Sequence, residues 1–298
     1  MNTKMLGHLY AFISISIWGS TYIVSKIVLQ TIMPAQVLLI RFLIASIVLT
    51  IIYPKFKKIT NFKVESLLFI TAMCLLGYFS SENTALTLTY ATNVSLIVAT
   101  IPILSLIITR LLGDSNELSK NVIIGFIIAY IGVVIIVMAN GDKSSIMFKG
   151  DVIAFLAAIF FVFYSYVLVK INKKFNIIHL TRNLFIYMTL MLFIFNVISG
   201  TFTVEYYPID KIFEIKTLFS LLYLGIVASS LSFMMWNKSI KLIGNIRTSQ
   251  YIYFGPIVTT MFAAKILDEK ITYITVLGTF MIIFGVYLAE SVSKKNIT

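Results

Sequence analysis

Charge is scarce in this chain, and so is cysteine. Only 12% of the 298 residues are charged, against 59% hydrophobic, and that charged fraction is about half of what a soluble domain carries. The balance excludes an ordinary soluble protein and describes a polytopic membrane protein. Cys74 is the one cysteine, so an intrachain disulfide and a thiolate metal cluster are excluded. His8 and His179, the two histidines, fall near expected helix ends, which removes an HExxH pair and a buried Ser/His arrangement. No GxxxxGK[ST] loop is present, so the chain does not itself hydrolyse nucleotide. Neither a metal nor a cofactor is expected.

What is there in abundance is apolar sequence. A bilayer core about 30 Å thick takes roughly 20 apolar residues per helix. Runs bounded by charge, Pro, Gly or Asn predict helices at 6–28, 34–53, 66–88, 92–112, 120–139, 150–170, 181–199, 217–237, 244–264 and 271–290. The runs do not alternate and are too long for barrel strands. Lys4 followed by the apolar run from Leu6 to Leu29 reads as a retained first span, since the run is too long for a signal-peptide core and lacks a small-residue cleavage site. No length remains for a soluble domain.

The net charge of +12 would suggest a nucleic-acid partner in a soluble protein, but its placement says otherwise. With the N-terminus inside, sixteen Lys and Arg fall on inner loops and seven on outer ones, and Arg41 lies within the second span. Four acids share the inner side and seven the outer, so the whole excess sits on one face. This is the positive-inside signal. It places a multi-pass protein in the cell inner (plasma) membrane with both termini cytoplasmic, its surroundings the lipid bilayer and not nucleic acid. Monomer and homodimer both remain open.

An internal repeat is also legible. Pro102 is followed by Gly125 and Gly132, as Pro256 is by Gly278 and Gly285, and both glycine pairs are seven apart; Asn83 and Asn237 each lie nineteen residues before their proline. Gly7 opens the first half as Gly150 opens the second. The fold class expected is an all-α integral membrane protein of ten transmembrane helices, arranged as two five-helix repeats at 1–140 and 145–298. Five is odd, so the second repeat enters the membrane from the opposite side. Inverted repeats give a protein inward-open and outward-open conformations about a site near the midplane.

The residues in this order resemble a known family. IWGSTYIVSK (17–26), the Arg-containing second span, ALTLTYATNVSLIVATIPIL (85–104) and RTSQYIYFGPIVTTMFAAKILDEKIT (247–272), with the later Gly278 and Gly285, are similar to the ten-helix EamA-type branch of the drug/metabolite transporter superfamily. The resemblance covers nearly the whole chain. It implies export of small metabolites, often amino acids or their derivatives, from a central cavity lined mainly by helices one, three, four, six, eight and nine. The sequence departs from the pattern after the fourth span, where LLGDSNELS is stretched, and in the sixth, where Phe161 stands in place of Trp. An intramembrane enzyme is the alternative class, with a receptor or structural protein behind it; solute movement without covalent change would separate transport from catalysis.

Glu82 is the acid placed well inside a span, where an ionised carboxylate costs about 2.5–3.5 kcal/mol on insertion scales. It is a candidate ligand for a substrate ammonium and a candidate proton-coupling site; a boundary position near the end of the third helix is the plainer reading. Tyr78 shares its helical face and Asn83 is adjacent, a grouping suited to a zwitterionic or cationic substrate. Their counterparts in the repeat are Trp236 and Asn237. Arg41 either snorkels to outer headgroups or pairs with Glu82 or a substrate carboxylate.

In the first span Ser14, Trp18, Thr21 or Tyr22, and Ser25 recur at helical spacing. They line either a cavity or a close helix contact, and mid-span Trp18 is ill-suited to an interfacial belt. Tyr164 in the sixth span, Asn93 and Ser95 in the fourth and Tyr251 in the ninth complete the candidates. Pro102 and Pro256 are expected to kink their helices at matching positions of the two halves.

Overall fold

In the computed structural model the described residues are 3–55, 62–111, 120–139, 145–172, 177–203, 207–243, 248 and 250–293. They form helices and turns and, among themselves, no strand. A backbone in hydrocarbon has no water to bond, so each span satisfies its amides internally as a helix. The first span is Thr3–Val28, the second Pro34–Ile52 and the third Phe62–Leu88. The fourth is Ala91–Val98 continued by Ile101–Leu111, and the fifth is Lys120–Ala139. The sixth is Ser145–Asn172, the seventh Ile177–Ile198 and the eighth Ile215–Leu222 continued through a π-helical stretch, Tyr223–Leu231, into Ser232–Ile243. The ninth opens with a 3-10 turn, Gln250–Tyr253, before Phe254–Ile266, and the tenth is Tyr273–Ser293. Among the described residues six helices are long and apolar enough to cross a membrane, and shorter apolar helices occupy the fourth, fifth, ninth and tenth positions.

Local chemistry sets several ends. Pro34 starts the second span, where its missing N–H is no loss, and Glu65 sits in the first turn of the third, where the helix dipole favours an anion. The break in the fourth span falls at Ala99–Thr100, just ahead of Pro102, and the ninth changes from 3-10 to α just ahead of Pro256. The third, sixth and seventh helices begin at Phe62, Ser145 and Ile177, each a turn or more before its expected start, and the eighth is not a regular α-helix. The start of the ninth span expected at 244 lies outside the described residues.

The packing has the pseudo-symmetry of an inverted repeat. The third span packs on the sixth as the eighth packs on the first, and the fourth on the sixth as the ninth on the first. The second lies against the seventh and the fifth against the tenth, pairs that exchange of the two halves leaves unchanged. The second and seventh spans are tied at both ends. Gln36 Nε2 donates to Asn196 Oδ1 (3.2 Å) at one end, and at the other Arg182 Nη1 donates to the carbonyl of Tyr53 (2.6 Å), just where the second helix exposes its carbonyls. Between the spans a continuous apolar core runs from Phe42, Leu49 and Leu75 to Ala158, Phe185 and Met188.

The fifth and tenth spans meet backbone to backbone along the repeated glycines. A Cβ on Gly132 would stand 2.8 Å from the carbonyl oxygen of Gly278, and one on Gly285 would stand 2.5 Å from that of Gly125 and 2.7 Å from the amide nitrogen of Ala129. Helices approach this closely in membranes where the side chain is absent. Gly285→Ala is therefore expected to force the seam apart, at a cost of about 1–3 kcal/mol, and to lower the apparent melting temperature in detergent by several degrees. Gly255→Ala, whose added carbon meets its nearest neighbour at 3.7 Å, should leave that temperature unchanged in the same fluorescence scan.

Candidate functional site

The polar stripe of the first span faces the irregular part of the eighth. Trp18 Nε1 donates to the carbonyl of Ala228 (3.1 Å), Ser14 Oγ to that of Ser232 (3.1 Å), and Ser20 Oγ lies 2.6 Å from the Tyr223 hydroxyl. All of these partners belong to the π-helical stretch or to the residue after it. A helix that leaves the i to i−4 pattern offers its carbonyls to neighbours, and such stretches recur at functional sites. Ser230 Oγ completes the local bonding by donating to the carbonyl of Gly225 (3.0 Å).

Beside this contact lies a cavity of about 100 Å³ at mid-span depth. Its polar lining comes from Trp18, Thr21 and Tyr22 on the first span, Arg41 on the second, Tyr78 and Glu82 on the third, and Ser95 on the fourth. Phe79, Phe161 and Phe233 supply aromatic walls, and Gly255 and Pro256 bring the ninth span to its edge. The first and ninth helices come close here because Thr259 Oγ1 donates to the carbonyl of Gly19 (2.8 Å).

Arg41 does not snorkel. Its side chain is buried, Nε donates to Ser229 Oγ (2.8 Å), and the guanidinium lies 4.7 Å from the ring centre of Phe79 and 5.6 Å from that of Phe42. Aromatic faces stabilise a cation held away from water. Glu82 is buried against neighbouring helices as well, at 5% exposure. The Tyr78 hydroxyl lies beside its carboxyl, and Tyr22 is next to Tyr78 in turn. Arg41 and Glu82 both border the cavity but form no direct ion pair; among the described residues the ion pair is Lys26 with Glu269. Two opposite charges thus face one small space without neutralising each other by contact.

Trp18, Tyr22, Tyr78, Glu82 and Ser95 come together there. The other candidates lie elsewhere. Asn83 is buried and donates to the carbonyl of Phe79 (3.0 Å), while its Oδ1 meets no hydrogen-bond donor among the described residues. Asn93 donates to Asp151 Oδ1 (3.1 Å), at the start of the fourth span. Tyr164 packs on Phe161, ring centres 5.3 Å apart, outside the cavity wall. Trp236 packs tilted against Trp18, ring centres 5.0 Å apart, Asn237 is half-buried beside it in the chain, and Tyr251 bonds to His8 Nδ1 (2.9 Å). Phe79 and Phe233 are wall residues the sequence reading passed over. Each stands four residues before its repeat asparagine, Asn83 or Asn237, so the repeat carried that signal.

A second polar cluster lies one turn beyond the cavity, on the face where the first span ends. Glu269 Oε1 accepts from the amide of Ala91 (2.8 Å) and from Lys26 Nζ (3.2 Å). Its Oε2 accepts from the Thr92 hydroxyl (2.8 Å) and the Thr92 amide (3.2 Å). Lys26 also donates to the carbonyl of Thr89 (2.7 Å), and the Thr89 hydroxyl donates to Asp151 Oδ1 (2.8 Å).

Comparison with known proteins fits this architecture. The chain is 27% identical over 297 residues to an uncharacterized transporter of Archaeoglobus fulgidus, covering 98% of this chain and 99% of that one. It is 25% identical to the uncharacterized transporter YcxC of Bacillus subtilis, covering 93% and 89%. Among solved proteins, one crystal structure at 14% identity shares the fold with a TM-score of 0.66, over 98% of this chain and 99% of that one. The model of the EamA-like transporter family matches twice, at residues 5–138 and again at 148–290. With both halves accounted for in this way, the chain belongs to the EamA-like transporter family.

Proposed function

We propose that this membrane transporter is a secondary exporter of small metabolites of the amino-acid type, working by alternating access about the cavity between its repeats, in the plasma membrane with both termini cytoplasmic. One observation carries the substrate class: Arg41 and Glu82 flank the same small cavity, buried and not paired to each other. A solute with a carboxylate and an ammonium group would bridge them, and each charge would gain the partner that a low-dielectric setting demands. Ser229 and Phe79 fix the guanidinium in place, so little rotamer freedom is lost on binding. The aromatic walls suit the apolar part of the solute. Export as the direction follows the family resemblance, and the orientation follows the excess of cationic residues on one set of loops.

Glu82 is also the proposed coupling group, because a carboxyl that faces the cavity can take up and release a proton as access alternates. In proteoliposomes screened with an amino-acid panel, Glu82→Gln should abolish proton-driven accumulation; a variant whose flux keeps its pH dependence would sink that role. Arg41→Gln should impair transport in the presence of Glu82 and be partly rescued in the Glu82→Gln double variant, with a coupling of about 1 kcal/mol or more in the cycle. Additive losses would argue that the two charges act independently.

The two tryptophans allow a direct binding test. Trp18 lines the cavity and Trp236 stands behind it. A panel solute that enters the site should change the intrinsic fluorescence. Trp18→Phe should remove most of that response, and Trp236→Phe should retain most of it.

A further inference from the structure

The start of the fourth span carries no cap of its own. Tyr90 occupies the capping position without a side-chain bond to the helix, although first-turn amides need acceptors. The acceptor comes from 178 residues further along the chain, where the Glu269 carboxylate takes the amides of Ala91 and Thr92 together with the Thr92 hydroxyl. An anion there also meets the positive end of the helix dipole. Lys26, at the end of the first span, neutralises Glu269 and holds the carbonyl of Thr89. A single carboxylate therefore joins the first span, the turn between the third and fourth, and the connection from the ninth to the tenth.

The backbone places that carboxylate deliberately. Asp268 sits at φ 53°, the left-handed region in which a residue other than glycine is uncommon. The amide of Glu269 reaches back past Asp268 to the carbonyl of Ala263 (3.3 Å), which also accepts from the amide of Leu267 (3.0 Å), so the end of the ninth helix holds Glu269 in place. Residues held in such conformations gather at switch regions. Asp151, from the sixth span, grips the same turn from the other side through Thr89 and Asn93. Lys26 lies one turn beyond Tyr22, Ala91 one turn before Ser95, and Thr89 two turns beyond Glu82, so the cluster lies over the cavity on that face.

We propose that Glu269 is a latch: bound to Lys26 and to the start of the fourth span it shuts the cavity toward the face where the first span ends, and opening toward that face requires it to let go. The assignment rests on reading the chain as an alternating-access transporter. Its contacts separate all or none, because a carboxylate that loses one partner while still buried is strongly disfavoured. The latch therefore behaves as a two-state element and not as a gradual constriction.

The test needs no substrate, so it stands or falls apart from the transport assay. With Cys74→Ser as background, Val98→Cys places a reporter thiol on the cavity wall. A membrane-impermeant maleimide is then applied separately to right-side-out and inside-out vesicles. Glu269→Gln should raise labelling from one side at least about fivefold, the scale of a broken allosteric contact. Lys26→Met should raise it from the same side, since it leaves the buried Glu269 carboxylate without its cation, and Lys26→Arg should match the parent. If Glu269→Gln fails to insert, Lys26→Met and Thr92→Val serve in its place. Labelling that stays at the parent level, or that rises equally from both sides, overturns the latch.

Discussion

The constraint behind every part of this structure is that a polar group in hydrocarbon must find its partner inside the protein. Polar side chains on the first span cannot face lipid, so they turn toward the eighth, where Ala228 and Ser232 offer carbonyls. Arg41 cannot remain unpaired in the bilayer, so it rests against Phe79 and Ser229. These contacts collect polarity at the repeat interface, and the cavity opens where they converge. Apolar side chains such as Ile127, Ile131, Phe280 and Phe284 are left on the outside, where lipid replaces a protein neighbour. Architecture and site thus follow from one requirement.

Much of the fold was legible because membrane spans write themselves in composition. The run lengths placed ten helices, and the matched intervals at Pro102, Gly125 and Gly132 and at Pro256, Gly278 and Gly285 disclosed the two halves. Those glycines mark a seam that the structure draws as backbone contact. The site was partly legible: Trp18 stood out as an aromatic group at mid-span depth, and Glu82, with Tyr78 on its face, as an acid within a span. Arg41 was harder, because the choice between headgroup and interior depends on helix rotation, and an almost uniformly apolar second span has no polar stripe to report it. Asp151 and Glu269 lay in predicted loops or helix ends, where an acid is unremarkable. Their roles depend on contacts across distant parts of the chain. The π-helical stretch had no sequence signature at all, since Tyr223–Leu231 reads as ordinary apolar helix.

The repeats agree in topology and differ in chemistry. Trp18 meets Phe233 at 5.0 Å on one side of the cavity, and its counterpart Phe161 meets Tyr78 at 5.1 Å on the other. Glu82 occupies in the first half the place Trp236 holds in the second, counted from the asparagine that follows each. One half therefore carries a carboxyl group where the other packs an indole against Trp18. The ends differ too. Asp151 grips the start of the fourth span, whereas at the matching place His8 bonds Tyr251 near the start of the ninth.

The π-helical stretch carries that asymmetry into the backbone itself. The third span is α-helical from Phe62 to Leu88, while the eighth, its twin, is wound differently over nine residues. Two conformations generated by exchanging the roles of the halves would be equal in free energy only if the halves were identical. Here one arm of the exchange has bonds the other lacks. Under the proposed alternating access, the two conformations would be unequally populated before any solute arrives, while the gradients across the membrane would still set the direction of net flux.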